Sequence, residues 1–417
     1  MEHEVRLKNL QCQLIREFKE NILSYWFKNT LDIKNGGFVG QVNARNQPCF
    51  NANKHGILNS RILWSFSYSY KNLHDEDSKY LAHRAYNYFT KNFFDNEYGG
   101  TYWELDHLGK VVDSRKHVYA QAFSIYALVE YYSAFNKKEA LDKAIEIYTL
   151  IESKCKDHEY GGYYEAYCRE WVVIDDVRLS EKDEDEPKSM NTHLHVLEAY
   201  TSLYRHHPTS EIRTALEEII HLFLDSIISN DNRTFHCFFS EKWQPRSEVI
   251  SLGHDIEASW LLTEAIEVLN DENLLVQIKP IVAAIADHVI LYGMDSDGGL
   301  INEINLNSKN DVNKDWWPQA EALVGFMNAF QLTSNPKYLE ALFKSWEFLN
   351  NSIIDKKGGE WFEKANRAGI PYNNMDKVRA WKAPYHNSRA LFEVSNRISE
   401  TIKTELKPNI TANVSNF

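Results

Sequence analysis

One phrase, spelled five times, limits the fold of this chain more than anything else in it. Asp32-Ile33-Lys34-Asn35-Gly36-Gly37-Phe38 returns at Asp95 to Tyr102, at Asp157 to Tyr163, at Asp295 to Leu300 and at Asp355 to Trp361. The second glycines stand at 37, 100, 162, 299 and 359, giving gaps of 63, 62, 137 and 60 residues. The long gap is two periods. Asp231-Asn232-Arg233-Thr234-Phe235 stands where a sixth copy belongs, without its glycines. Six units of one period mean an internally repeated fold.

Between the phrases run segments of helical periodicity. In Asn191 to Arg205, the residues Leu194, Val196, Leu197, Tyr200, Leu203 and Tyr204 recur at three- and four-residue steps, which marks one apolar face of a helix. Val118 to Tyr132, Ile256 to Leu269 and Ala320 to Phe330 read the same way. An interval of about 60 residues holds two helices of ordinary length with their connections. The Gly-Gly-aromatic phrase suits a tight turn opening a short hairpin, because glycine accepts positive φ and aromatics favour strands. Six helix pairs closed into a ring predict an all-α (α/α)6 barrel with short β-hairpins in its loops and a cavity at one end. An open helical solenoid is the alternative. Six copies, and polar and aromatic residues within the helices, favour closure. Residues 1–400 are read as a single catalytic domain and 401–417 as a polar C-terminal tail.

Charge narrows the partners. Lys plus Arg number 46 against 59 Asp plus Glu, a net charge of −13, which argues against nucleic acid or an anionic membrane. Eleven Trp, 23 Tyr and 21 Phe supply core, or the flat walls on which sugar rings stack. No apolar targeting segment opens the chain, and no run reads as long enough to span a bilayer. The five cysteines, Cys12, Cys49, Cys155, Cys168 and Cys237, are scattered and without a CxxC spacing. A reduced, cytoplasmic protein with idle thiols is expected, as a monomer or weak homo-oligomer. The sharpest charge run, Glu181 to Lys188, reads first as a solvated loop. A lid or rim beside the cavity is the other reading, since a helix starts just after it.

Three segments carry candidate chemistry. In Lys188-Ser189-Met190-Asn191-Thr192-His193-Leu194-His195, Asn191 and His195 share a helix face with Glu198 nearby, and His193 points elsewhere. His193 and His195, two apart on a helix, do not converge on a metal. In Gly253-His254-Asp255-Ile256-Glu257, His254 and Glu257 share a face, so the carboxylate either orients the imidazole or holds a substrate hydroxyl. In Trp381-Lys382-Ala383-Pro384-Tyr385-His386, Pro384 restricts the chain just before His386. Each histidine alone reads as a hydrogen-bonded structural residue. Together, near the starts of helices in one ring, they would meet around the cavity. Helix N-termini lower an imidazole pKa and favour its neutral form, so two imidazoles facing one substrate suit proton removal and return. Arg61, among apolar residues on a helix, needs a partner if buried, and substrate oxygens are one candidate. Trp381 in its proline-containing loop reads as a rim residue rather than core. No metal or cofactor motif is found: there is no GxGxxG between strand and helix and no GxxxxGK[ST].

At these residues the chain resembles the N-acylglucosamine 2-epimerase superfamily. The strings are SRILWSFS at 60–67, NTHLHVLEAY at 191–200, GHDIEASWLL at 253–262 and WKAPYHNSR at 381–389. They are long, in order, and extend over nearly the whole chain. The resemblance implies an (α/α)6 barrel and reversible epimerisation at C2 of a reducing-end aldose through an enediol. It implies an acid/base pair at His254 and His386, assistance to ring opening at His195, and steadying of the enediolate by Arg61. Tyr119, Asn191 and Glu257 match hydroxyl-binding positions, and Trp317 and Trp381 match aromatic walls, with Trp316 the neighbouring alternative. The string at 381–389 leans toward members acting on β-1,4-linked disaccharides such as cellobiose or lactose. A monosaccharide epimerase or isomerase, an (α/α)6 glycoside hydrolase using two carboxylates, and a non-catalytic sugar-binding protein are the alternatives.

Overall fold

The computed structural model describes residues 2–405, and the helices close into one ring. α1 (Glu2–Glu17) and α2 (Ser24–Asn29) are one outer helix joined through a π-turn at Phe18–Leu23. Five inner–outer pairs follow. They are α3 (Gly56–Leu73) with α4 (Glu76–Asn92), α5 (Val118–Phe135) with α6 (Lys138–Lys154), and α7 (Met190–His206) with α8 (Ser210–Leu222). Then come α9 (Leu252–Leu269) with α10 (Glu272–His288), and α11 (Trp316–Thr333) with α12 (Pro336–Phe348). α13 (Tyr385–Glu405) packs on α1 and completes the set. Each inner helix touches the next, and α13 touches α3, so the ring is shut rather than an open solenoid.

The two layers differ in burial. Outer helices are amphipathic: α8 buries Ile212, Ala215, Leu216, Ile219 and Ile220 at helical spacing. Inner helices are enclosed on all sides, as in α7, where Thr192 through Leu203 are buried without a break. The single apolar face read at Asn191 to Arg205 therefore understates the burial. α10 corrects another expectation. Glu272–Gly293 is long and apolar enough by composition to cross a membrane. In the barrel it is an outer helix with Leu274, Ile278, Val282 and Ile285 turned inward.

The ends of the ring have separate tasks. At one end inner helices pass to outer ones through tight turns, with His74, Asn136 and Ser334 left-handed at the C-caps and their N–H groups returned to Tyr70, Tyr132 and Phe330. Asp75, Thr209 and Asn335 then cap the outer helices. At the other end lie the long connections. Each Gly-Gly phrase is a hairpin, bridged Leu31–Phe38, Phe94–Thr101, Lys156–Tyr163, Met294–Leu300 and Ile354–Trp361. The glycine-free copy is a hairpin too, bridged Ile228–Phe235, with Asn232 taking the positive φ. A second hairpin in each unit, such as the one bridged Tyr167–Val173, was not expected.

The repeated aspartate has a physical role. A lysine on the short strand entering the next inner helix lies buried against it: Lys54–Asp32 at 2.8 Å, Lys116–Asp95 at 3.0 Å, Lys188–Asp157 at 2.6 Å and Lys314–Asp295 at 3.2 Å. Lys377–Asp355 at 2.7 Å repeats the pair before α13. In the worn unit the corresponding residue is Ile250, so this unit has neither the lysine nor the glycines. Lys188 is thus a buried anchor and not part of a solvated charge run. At the C-terminus, 401–405 continue α13 instead of starting a tail, and the rest of the expected tail lies outside the described residues.

Candidate active site

The inner helices are in register, and three of their sixth residues, Arg61, His195 and Glu257, line a cavity. Arg61, Phe123, His195, Glu257 and Glu321 are each sixth in their helices, and Arg389 is fifth in α13. The cavity has a volume of 460 Å³, within the usual ~300–1,000 Å³ for small-molecule sites. All nine residues singled out from the sequence line it: Arg61, Tyr119, Asn191, His195, His254, Glu257, Trp317, Trp381 and His386. Sequence reading missed Leu179, Ser180, Asp315 and Arg379, and gave Glu181 to Asp183 as part of a rim only as its second reading. It also missed the charged network beneath.

That network centres on Arg389, which is 1% exposed. Its Nη1 donates to Glu198 and to the Tyr385 hydroxyl, and its Nη2 donates to Glu257 and, at 2.8 Å, to Glu321. One guanidinium therefore bridges three buried carboxyl groups from three helices. Glu257, Glu321 and His386 stand close enough to surround a cation, and Arg389 already supplies positive charge to both carboxylates. Two carboxylates pass on to histidines: Glu198 to His195 Nδ1 at 2.9 Å and Glu321 to His386 Nδ1 at 2.7 Å. His254 Nδ1 instead meets the Ser251 hydroxyl at 2.8 Å, so of the two roles open to Glu257, orienting His254 is not the one it takes. With each Nδ1 engaged, Nε2 is the nitrogen left for the cavity. His193, as expected, stays out of the site. Its ring bonds the Ser189 carbonyl and takes the Tyr163 N–H, bracing the third hairpin.

Burial sets the protonation states. It brings His254 down to about 3, with His195 adding to the effect. It carries His386 well below the ordinary histidine value, helped by Arg61 and Arg389. The leading cause is desolvation, not the helix terminus invoked from the sequence. Burial also works against the charge on Glu198, but Arg389 and then His195 outweigh it and hold the carboxyl at about 2. For Glu257, burial and then Glu321 prevail over Arg389 and raise it to about 7. Glu321 is raised by burial against the pull of Arg389.

Arg61 is 3% exposed, and no carboxylate among the described residues lies within ion-pair distance of it. It donates to the Tyr119 hydroxyl at 2.8 Å and to the Trp381 carbonyl at 3.2 Å, and lies over the Phe123 ring at 4.5 Å. Burial raises Tyr119 to about 12, so its hydroxyl keeps a proton to donate. Buried polar atoms around the cavity that lack hydrogen-bond partners include Arg61 Nε, Asn191 Oδ1 and Glu257 Oε2. Buried polar atoms without partners are rare, which marks these as groups a polar ligand would satisfy.

Aromatic rings form the walls. Trp317 packs against both imidazoles, 4.6 Å from His254 and 5.6 Å from His386 between centroids. Trp316, 4% exposed under Lys382, also borders the cavity, and Trp317 is the ring that meets the imidazoles. Trp381 is half-buried at the rim, edge-on to Trp103 and Tyr119, and borders an adjoining 170 Å³ recess. Leu179 to Asp183 close another side. The start of the acidic run is therefore a rim element, held by Asp183 accepting from the Ser180 N–H and hydroxyl.

Comparison with known proteins agrees with this geometry. The profile of the N-acylglucosamine 2-epimerase (GlcNAc 2-epimerase) family matches residues 36–390. The cellobiose 2-epimerase of Bacteroides fragilis is 41% identical over 386 residues, covering 92% of this chain and 98% of that one. The cellobiose 2-epimerase of Dictyoglomus turgidum is 40% identical, covering 94% and 100%. The structure of cellobiose 2-epimerase from Bacillus thermoamylovorans B4167 superposes with a TM-score of 0.90 at 37% identity, covering 94% of this chain and 100% of that one. The chain belongs to the N-acylglucosamine 2-epimerase family and is a carbohydrate epimerase.

Proposed function

We propose that this epimerase inverts C2 of the reducing-end sugar of a β-1,4-linked disaccharide, cellobiose or lactose among them, through an enediol. The observation that carries the reading is the meeting of His254 and His386 on the Trp317 ring, in one cavity with a guanidinium that has no carboxylate partner. A proton α to a carbonyl is lost only if the oxyanion is stabilised, and Arg61 with Tyr119 supplies buried donors for it. One imidazole removes the C2 proton, and the other returns a proton to the opposite face. His195, fixed by Glu198, assists opening of the sugar ring. Asn191 Oδ1 and Glu257 Oε2 accept sugar hydroxyls.

The disaccharide rests on the Trp381 side, where an aromatic rim and the 170 Å³ recess extend the cavity beyond one ring. Cellobiose 2-epimerases are among the relatives that match over most of the chain. A glycoside hydrolase needs two carboxylates free to flank the scissile bond. Here Glu198, Glu257 and Glu321 are tied to Arg389.

Incubation with cellobiose, lactose, mannose and N-acetylglucosamine, with the products identified, tests the reading. Glucosyl-mannose from cellobiose and epilactose from lactose are expected. Free glucose would mean a hydrolase, and turnover of the monosaccharides alone would remove the disaccharide.

A further inference from the structure

The two imidazoles of the proposed proton-transfer pair are held by unlike partners. His386 Nδ1 faces the Glu321 carboxyl at 2.7 Å, whereas His254 Nδ1 faces the Ser251 hydroxyl at 2.8 Å. Ser251 occupies the N-cap of α9, as Ser189 occupies the N-cap of α7. Ser189 uses its side chain in the ordinary way and accepts from the Thr192 N–H at 3.1 Å. Ser251 makes no such cap, because its hydroxyl is turned to His254. The same residue type at the same place in two repeats thus serves the helix in one and an imidazole in the other.

We propose that Ser251 is a positioning residue: its hydroxyl accepts the His254 Nδ1–H, presents the Nε2 lone pair to the cavity, and makes His254 the weakly basic member of an unequal pair. This rests on the reaction proposed above. A hydroxyl accepts from Nδ1–H equally in the neutral ring and in the imidazolium, so one geometry serves His254 before and after it takes the C2 proton. Being uncharged, it gives the imidazolium none of the stabilisation that a carboxylate gives.

The proton balance then closes. His254 Nε2 takes the C2 proton and becomes an imidazolium. The Glu321–His386 pair enters with Glu321 protonated, bonded to Nδ1, and with Nε2 carrying a hydrogen. Nε2–H goes to the opposite face of C2 while the Glu321 proton passes to Nδ1, leaving an ionised Glu321 beside a neutral imidazole. The reverse reaction runs these transfers backwards, and exchange with solvent resets both sides. Other charged groups face His254 but do not replace Ser251. His195 stands on α7, Glu257 on its own helix, Asp183 and Lys182 on the rim loop, Asp315 on the strand entering α11, and Glu303 across a separate 250 Å³ cavity that His254 also borders. None of the carboxylates among the described residues is within ion-pair distance of its ring.

The test has an arm that does not need turnover. In protein labelled with [15N]histidine, the His254 ring is expected to show Nδ1 protonated and Nε2 bare at neutral pH. Its signals are assigned by their loss in His254→Gln. Ser251→Ala is expected to scramble that tautomer and lower kcat about tenfold or more, with KM changed about twofold at most. Ser251→Asp puts a carboxylate behind His254, and should move the acid limb of kcat/KM up by about one pH unit or more. A wild-type ring protonated on Nε2, wild-type kcat in Ser251→Ala, or an unmoved acid limb in folded Ser251→Asp would each overturn the proposal. If the wild-type protein epimerised no sugar, the functional reading would fall, while the tautomer would still decide the role of Ser251.

Discussion

At the scale of single residues, the site is explained by who stands behind each histidine. His254→Ala and His386→Ala should each lower kcat by about 10²–10⁴-fold, the usual contribution of a proton-transfer group, with circular dichroism unchanged. Retention of half the wild-type rate by either variant would displace it from the reaction. Burial lowers the pKa of both rings, so they stay neutral below the ordinary histidine value of 6.5. The acid limb of kcat/KM should accordingly lie below pH 6.5, and a limb at or above it would contradict the desolvation argument. Trp381 acts further out. Trp381→Ala should cut kcat/KM for cellobiose about tenfold or more, as expected for a lost stacking wall, and should affect any turnover of mannose less. Equal losses for both sugars would place Trp381 against the reducing sugar.

At the scale of elements, each repeat is fastened by its buried lysine. Lys188 bonds Asp157 and the carbonyls of Gly161 and Glu241. Lys188→Met leaves Asp157 buried without a counter-charge, and urea unfolding should show a loss of about 3–5 kcal/mol. The double variant Asp157→Asn/Lys188→Met should lose less, because no charge is stranded. A loss under about 1 kcal/mol in the single variant would mean that the pair does not hold the hairpin. Gly162 shows why the phrase carries glycine. Its φ is +74°, and a Cβ there would sit 2.6 Å from His193 Nε2 and 2.5 Å from Trp243. In the worn unit the shorter Asp255 takes the place of His193 and accepts the Phe235 N–H at 2.9 Å. The repeated Asp and Gly-Gly are local signals, so five hairpins were legible from sequence, and the sixth from spacing alone. Their lysine partners, 21 residues on for Lys116 and 31 for Lys188, were not, because a buried ion pair leaves no mark in periodicity. The second hairpins were equally hidden, having no shared phrase.

At the scale of the molecule, the ring brings together residues from six helices, and sequence order does not show which will meet. Seven of the nine cavity residues lie in the strings that carry the family resemblance, and Tyr119 and Trp317, outside those strings, were named only by what the resemblance implies. Glu321 and Arg389 were passed over, since on a helix they look like ordinary surface charges. The signal was present as register: Arg61, His195, Glu257 and Glu321 share the sixth position of their helices, and aligning the repeats would have shown a ring of charge there. The rim at 179–183 had a weaker signal, since its charge reads first as a solvated loop and only the helix starting just after it pointed to a rim. The central claim, a proton exchanged at C2 between two groups on opposite faces, is tested most directly by running the reaction with cellobiose in D2O and locating the label by NMR. The account predicts that the epimer carries one deuteron at C2 of the reducing sugar and none in the other ring. An epimer formed without deuterium at C2 would contradict it.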